Sequence, residues 1–153
     1  MPDVVDKATR SRMMAAIKGK NTRPEILVRK ALHATGFRFR LHDRKLPGRP
    51  DIVLKKYRAV VFVQGCFWHG HECKDFRWPK TRKAWWRKKI EGNSARDTKN
   101  VLALRSGNWR VLTIWECALP NNRDVFPVTL KNKIALWIGG KKVSLEIGGG
   151  THD

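Results

Sequence analysis

Apolar positions recur along this chain at two spacings, and the switches between them mark its elements. Thr22-Arg23-Pro24-Glu25 carries a Ser/Thr-x-x-Glu capping signature with proline in the first turn, and Ile26, Leu27, Val28, Ala31 and Leu32 follow at helical spacing until Gly36. Residues 37–41 read as a first strand, Ile52-Val53-Leu54 as a second, and Ala59-Val60-Val61-Phe62-Val63, ending at Gln64, as a third. The turn Lys55-Lys56-Tyr57-Arg58 makes the last two a hairpin whose second strand is buried on both faces. A basic helix is expected over residues 81–90, a break at Glu91-Gly92-Asn93, and a second helix over residues 94–105 that turns Val101, Leu102 and Leu104 toward the core. Residues 109–115 form a further strand, Pro120-Asn121-Asn122 interrupts the chain, and residues 128–138 form a last helix with Leu130, Ile134 and Trp137 on one face. The class is α/β. A domain over residues 21–138 is expected, preceded by a basic arm over residues 1–20 whose short helix lacks a wide apolar face, and followed by a glycine-rich, flexible tail over residues 139–153.

Charge narrows the partners. Across 153 residues, 33 Lys and Arg against 13 Asp and Glu leave a net +20, so a polyanion is the expected partner. Nucleic acid suits this pattern better than a membrane surface, because the basic residues are spread along the chain among seven tryptophans. Trp109, Trp115 and Trp137 sit in apolar segments and belong to the core, whereas Trp68, Trp85 and Trp86 have polar or basic neighbours. With 41% hydrophobic residues the chain supports one core rather than two. An odd cysteine count, no apolar N-terminal stretch and no run near the roughly 18 residues of a membrane span point to a cytoplasmic protein.

Candidate chemistry concentrates in Gly65-Cys66-Phe67-Trp68-His69-Gly70-His71-Glu72-Cys73, nine residues holding two of three cysteines and two of five histidines. Cys66, His71 and Cys73 offer three ligands for a structural zinc, and Cys117 makes a fourth if the strand before it runs parallel to the 59–64 strand. Such a site leaves His69 over. The alternative is a set of buried free cysteines with two loop histidines. Pro50-Asp51 at the head of a strand, with another strand ending about a dozen residues on, is a spacing that can carry a metal-dependent nuclease centre, although the dipeptide alone is weak. Glu25 is explained locally as a capping carboxylate.

Taken together, Asp6-Lys7-Ala8-Thr9-Arg10-Ser11, Leu46-Pro47-Gly48-Arg49-Pro50-Asp51, Gly65-Cys66-Phe67-Trp68-His69, Trp109-Arg110-Val111-Leu112 and Trp115-Glu116-Cys117-Ala118-Leu119 resemble the Vsr family, the very-short-patch-repair endonucleases that nick DNA beside T:G mismatches. The resemblance implies a restriction-endonuclease-like fold, a central mixed β-sheet flanked by helices, with an altered PD-(D/E)xK centre and a structural zinc site. It implies a catalytic Mg²⁺ on Asp51 and the backbone carbonyl of Val63, with His69 as general base and Glu25 arranging the waters around the ion. Zn²⁺ falls to Cys66, His71, Cys73 and Cys117, and Phe67, Trp68 and Trp86 match the aromatics wedged beside the mismatch. Met14 of the arm and Arg82, Lys88 and Lys89 of the basic helix are the further DNA contacts expected. A duplex with a T:G mismatch is the implied partner, with mismatch-repair proteins of the MutL type as accessories, and the protein is expected to act as a monomer.

Two positions depart from the better-studied nucleases. Gln64 stands two residues before Cys66 where better-known members have histidine, and Phe62 stands where related folds place a second acid. Gln64 is therefore assigned to orienting water or phosphate. Two other readings compete: a non-enzymatic zinc-containing DNA-binding module, which leaves Asp51 and His69 idle, and a nuclease of the same fold with other substrates.

Overall fold

The computed structural model describes residues 22–74, 76–119 and 126–148. Helix α1 (Arg23–Ala34) starts where expected: Thr22 Oγ1 accepts the Glu25 N–H at 3.4 Å, proline occupies the first turn, and Gly36 beyond the end takes a left-handed φ of +103°. Its inward stripe of Leu27, Val28, Ala31 and Leu32 is buried. Strands β1 (Arg40–Leu41), β2 (Ile52–Leu54), β3 (Ala59–Gln64), β4 (Arg110–Trp115) and β5 (Ser144–Ile147) form one sheet in that spatial order. Pairing is antiparallel from β1 to β3 and parallel from β3 to β5, so the sheet is mixed. Helices α2 (Lys83–Ser106) and α3 (Val128–Gly139) complete the fold.

Alternation along the central strands sends side chains to two cores. Ala59, Val61, Ile52, Leu54, Leu112 and Ile114 face α1 and α3, where Val28, Leu32, Ile134 and Ile138 meet them. Val53, Val60, Phe62 and Val111 face the opposite way, against Leu104 of α2. Strand β3 is thus covered on both sides, as its unbroken apolar run requires. Arg110 ties the α3 end to the sheet: its guanidinium donates to the carbonyls of Ile138 at 2.9 Å and Trp137, and stacks 4.3 Å from the Trp137 ring.

Four expectations change. The first strand is only Arg40–Leu41, paired with Val53 and Ile52, and Phe37 instead packs edge-on against Tyr57 at 5.5 Å. The helices expected over 81–90 and 94–105 are one 24-residue helix. The Glu91-Gly92-Asn93 break does not occur because Asn93 Nδ2 donates to the Trp68 carbonyl at 2.9 Å rather than to a local turn, and Ile90 just before it is buried. In this continuous helix Leu102 is 63% exposed and leaves the core role to Leu104. The fourth concerns the tail: Ser144–Ile147 is not loose but is strand β5, with Ile147 buried beside the core and Glu146 turned to the other face. Glycines on both sides of it obscured four residues of alternation. The basic arm, Met14 and the last residues lie outside the described residues. Among the described residues no helix is long and apolar enough to cross a membrane.

Candidate active site and metal centre

Strands β3 and β4 run parallel with Gln64 opposite Trp115, so the chain leaves both at one edge of the sheet. Cys66 follows the first strand and Cys117 the second, which brings them together as their positions suggest. The loop after Gly65 closes through tight turns, His69 N–H to the Gly65 carbonyl at 3.3 Å, Gly70 N–H to that of Phe67 at 3.3 Å, and His71 N–H to that of Cys66 at 2.9 Å. Gly70 is required there twice over, by its φ of +64° and because a Cβ would stand 2.9 Å from Ile90 of α2. His71 stacks flat on Trp115, ring centres 4.1 Å apart, and its Nδ1 lies 3.5 Å from Cys117 Sγ.

The ligand atoms of Cys66, His71, Cys73 and Cys117 all lie within 4.8 Å of one another. Ligands about 2.1–2.3 Å from a tetrahedral ion stand roughly 3.4–3.8 Å apart, so the donor set fits one zinc-sized cation. Burial pushes the Cys66 thiol pKa up, and the thiols of Cys117 and Cys73 add to it, so a thiolate here calls for a compensating cation. Burial moves the His71 pKa down, toward the neutral imidazole that can ligate.

On the α2 side of the same edge lies a cleft of about 240 Å³ whose lining includes Asp51, Val63, Gln64, His69, Asp97 and Arg49. Asp51 Oδ2 accepts the Val63 N–H at 2.7 Å, which anchors the carboxylate to β3. Burial, first, and the neighbouring charge of Glu25 raise the Asp51 pKa to about 7, while the Val63 N–H, His69 and Arg29 pull it down. Glu25, 1% exposed, projects from α1 toward Asp51, held by Arg29 Nη2 at 2.5 Å and by His42 Nε2. The capping threonine therefore positions a buried carboxylate rather than merely starting a helix. Oxygen and nitrogen donors of Glu25, His42 and Asp51 lie within 4.8 Å of one another, a set that fits a divalent cation.

His69 reaches back over the cleft from the cysteine loop. Its Nδ1 lies 2.5 Å from Asp97 Oδ2 on α2, an arrangement that places the ring proton on Nδ1 and leaves Nε2 as the basic nitrogen. One turn before Asp97, Asn93 holds the Trp68 carbonyl, so two side chains of α2 fix the loop. Gln64 is buried and lines the same cleft as Asp51 and His69. Trp115 lies edge-on to His69 at 6.2 Å as well as flat on His71, and its indole N–H donates to Glu146 of β5 at 2.5 Å. It is a core tryptophan, as expected, but one that separates the two histidines.

Beyond the cleft the aromatics form a continuous cluster. Phe67 meets Trp68 and Trp86 at 5.3 Å each, and Trp68 meets Trp86 at 5.8 Å. Phe76 and Trp78 extend it, and Arg87 covers Trp78 at 4.5 Å while Arg82 covers Trp85 at 4.9 Å. Arg82, Lys88 and Lys89 are exposed in the segment that carries Trp85 and Trp86. Sequence reasoning missed three participants: Asp97, Arg29 and His42. Arg29 was findable, since it stands four residues after Glu25 on a helix. Asp97 and His42 meet their partners from 28 and 17 residues away and have no local signal.

Comparison with known proteins points to one family. The sequence profile described as DNA mismatch endonuclease Vsr matches residues 2–75. The chain is 43% identical over 147 residues to the DNA mismatch endonuclease Vsr of Escherichia coli (strain K12), covering 96% of this chain and 94% of that protein. It is 49% identical over 119 residues to the type II nicking enzyme V.XorIIP of Xanthomonas oryzae pv. oryzae, covering 78% of this chain and 88% of the relative. Similarity to the type II nicking enzyme V.NmeAIP of Neisseria meningitidis serogroup A is 46% over 121 residues, 79% of this chain and 86% of the relative.

Proposed function

The chain belongs to the Vsr family of DNA mismatch endonucleases and is a DNA-nicking endonuclease; from its cleft we propose that it nicks one strand of duplex DNA beside a T:G mismatch, using Mg²⁺ for catalysis and Zn²⁺ for structure. The observation that carries the reading is the placement of Asp51 and the His69–Asp97 pair across one cleft, next to an aromatic cluster rimmed by basic side chains. Asp51 and the Val63 carbonyl would hold the Mg²⁺, with Glu25 close behind. When bound, that ion supplies Lewis-acid stabilisation of the phosphate charge and makes water more acidic.

His69 Nε2 accepts the proton of the attacking water, and Asp97 keeps the ring in the tautomer that can do so and stabilises the imidazolium formed. Gln64 carries no proton; its amide orients water or a phosphate oxygen by one hydrogen bond. Cys66, His71, Cys73 and Cys117 would hold the zinc, which pins Phe67, Trp68 and His69 in a loop only a few residues long. Phe67, Trp68 and Trp86 form the wedge. A T:G wobble stacks less well than a paired step, so opening it for an inserted ring costs least there. Arg82, Lys88 and Lys89 contact phosphates and contribute affinity without sequence preference.

The test is a panel of end-labelled duplexes, identical apart from one position carrying T:G, T:A or C:G, incubated with Mg²⁺ or EDTA. A nick in one strand of the T:G duplex, dependent on Mg²⁺, is expected. Equal cleavage of the paired duplexes, or cleavage in EDTA, would overturn the reading.

A further inference from the structure

Phe62 occupies the β3 position where related nuclease folds carry a second acid, and it is buried in the core against α2. A second carboxylate and an imidazole nonetheless stand beside Asp51, both brought from outside β3. Glu25 comes from α1 and His42 from the loop after β1, and their donor atoms and those of Asp51 lie within 4.8 Å of one another. Ligands on one octahedral ion at about 2.1–2.2 Å stand about 3 Å apart when adjacent and about 4.3 Å apart when opposite, so a small movement of the Asp51 and His42 side chains lets them share one ion.

The His42 backbone indicates that the placement is not incidental. His42 is a non-glycine residue at φ +47°, a left-handed conformation that costs free energy for a side chain with Cβ, and its N–H is pinned to the Asp51 carbonyl at 3.2 Å. The same hydrogen bond that fixes the strained residue ties it to the residue bearing the metal-site carboxylate. His42 Nε2 contacts Glu25 Oε1, with Arg29 Nη2 3.5 Å from the same nitrogen.

We propose that His42 is a direct nitrogen ligand of the catalytic cation, added to Asp51 and the Val63 carbonyl with Glu25 close behind, and that this chain accordingly holds Mn²⁺ more tightly than Mg²⁺. Imidazole favours first-row transition ions over Mg²⁺, whose preference is for oxygen and retained water. On binding, His42 Nε2 gives up its contact with Glu25 and turns its lone pair to the ion, and Arg29 keeps the Glu25 carboxylate in place. The inference rests on the proposed reading of Asp51 as a metal ligand.

The experiment uses full-length, zinc-loaded protein titrated with Mn²⁺ and followed by electron paramagnetic resonance. One Mn²⁺ per chain is expected, carrying nitrogen coupling in pulsed spectra that changes on ¹⁵N-histidine labelling, with Mg²⁺ displacing it only at tenfold or greater excess. His42→Gln should remove the coupling and weaken Mn²⁺ binding at least tenfold, with Mg²⁺ binding changed less than threefold. Absence of nitrogen coupling in the wild-type spectrum, which depends on no variant folding, would overturn the proposal, as would coupling that survives His42→Gln. Nicking of the T:G duplex is measured in parallel. Metal-dependent nicking lost in Asp51→Asn, together with no nitrogen coupling, sinks the His42 assignment alone. Undiminished Mn²⁺ binding and nicking in Asp51→Asn sinks this inference and the Asp51 reading together.

Discussion

Two clusters of potential ligands sit at one edge of the sheet, and they are built oppositely. The cysteine cluster draws three of its four donors from a stretch of eight residues, is closed by Trp115 stacked on His71, and offers four ligands to an ion that takes four. The second cluster gathers its donors from α1, the loop after β1 and the start of β2, and its Asp51 also lines the cleft of about 240 Å³. A site with every position filled can only hold its loop in place; a site with positions left over can bind water and phosphate. His69 is where the two meet, carried by the first and aimed into the second.

The comparison is broken most severely at the closed cluster. Cys117→Ser should lose zinc and most of the folded population, since a structural site contributes its binding energy to folding. Stoichiometric zinc by mass spectrometry in a stably folded variant would show that four ligands are not needed. Asp51→Asn should instead leave zinc content and circular dichroism unchanged while abolishing nicking and preserving mismatch binding. Near wild-type turnover at ordinary Mg²⁺ would remove Asp51 from the reaction.

Smaller effects sharpen the division of labour at the cleft. His69→Ala should cost about 10²–10⁴-fold in turnover, the usual share of a general base, and Asp97→Asn should cost less than that but more than Gln64→Ala. Gln64→Ala should cost about tenfold or less, because one neutral hydrogen bond is worth about 0.5–1.5 kcal/mol. Losses of equal size at His69 and Gln64 would place the proton route through water held by Gln64.

A further effect is on stability rather than turnover. The Asp51 pKa is raised from 3.8 to about 7 by burial, so in Mg²⁺-free, zinc-loaded protein the folded state binds more protons than the unfolded state between those values. Stability from this group is complete below pH 3.8 and is lost as pH rises through about 7. Wild type should therefore weaken relative to Asp51→Asn between pH 5 and 8 in denaturant titrations, and Mg²⁺ should recover the loss. A difference independent of pH would mean the carboxylate is better solvated than its burial implies.

Part of this architecture was legible in local spacing. The α1 cap, the hairpin of β2 and β3, the run of β4 and the Cys-x4-His-x-Cys cluster all depend on residues close in sequence, where period, turn chemistry and ligand geometry act directly. The union of Cys66 with Cys117 needed one further premise, parallel β3 and β4, which the register of Gln64 with Trp115 supplies. Composition misled at the C-terminal end, where glycines outweighed the alternation of Ser144–Ile147.

By itself the sequence determined the α/β class, the charge that calls for a polyanion, the cysteine–histidine cluster that could hold a metal and, through its motifs, the nuclease family. Only the tertiary structure decided which groups make those residues work. Asp97 behind His69, His42 and Arg29 on Glu25, and Glu146 on Trp115 each sit on an element with no pattern that announces its partner. Asn93 continued a helix that its residue type would have ended, because its amide found the Trp68 carbonyl instead of its own backbone. Hydrogen bonds between distant elements depend on how the sheet and helices pack, and that packing is a property of the whole chain rather than of any window along it.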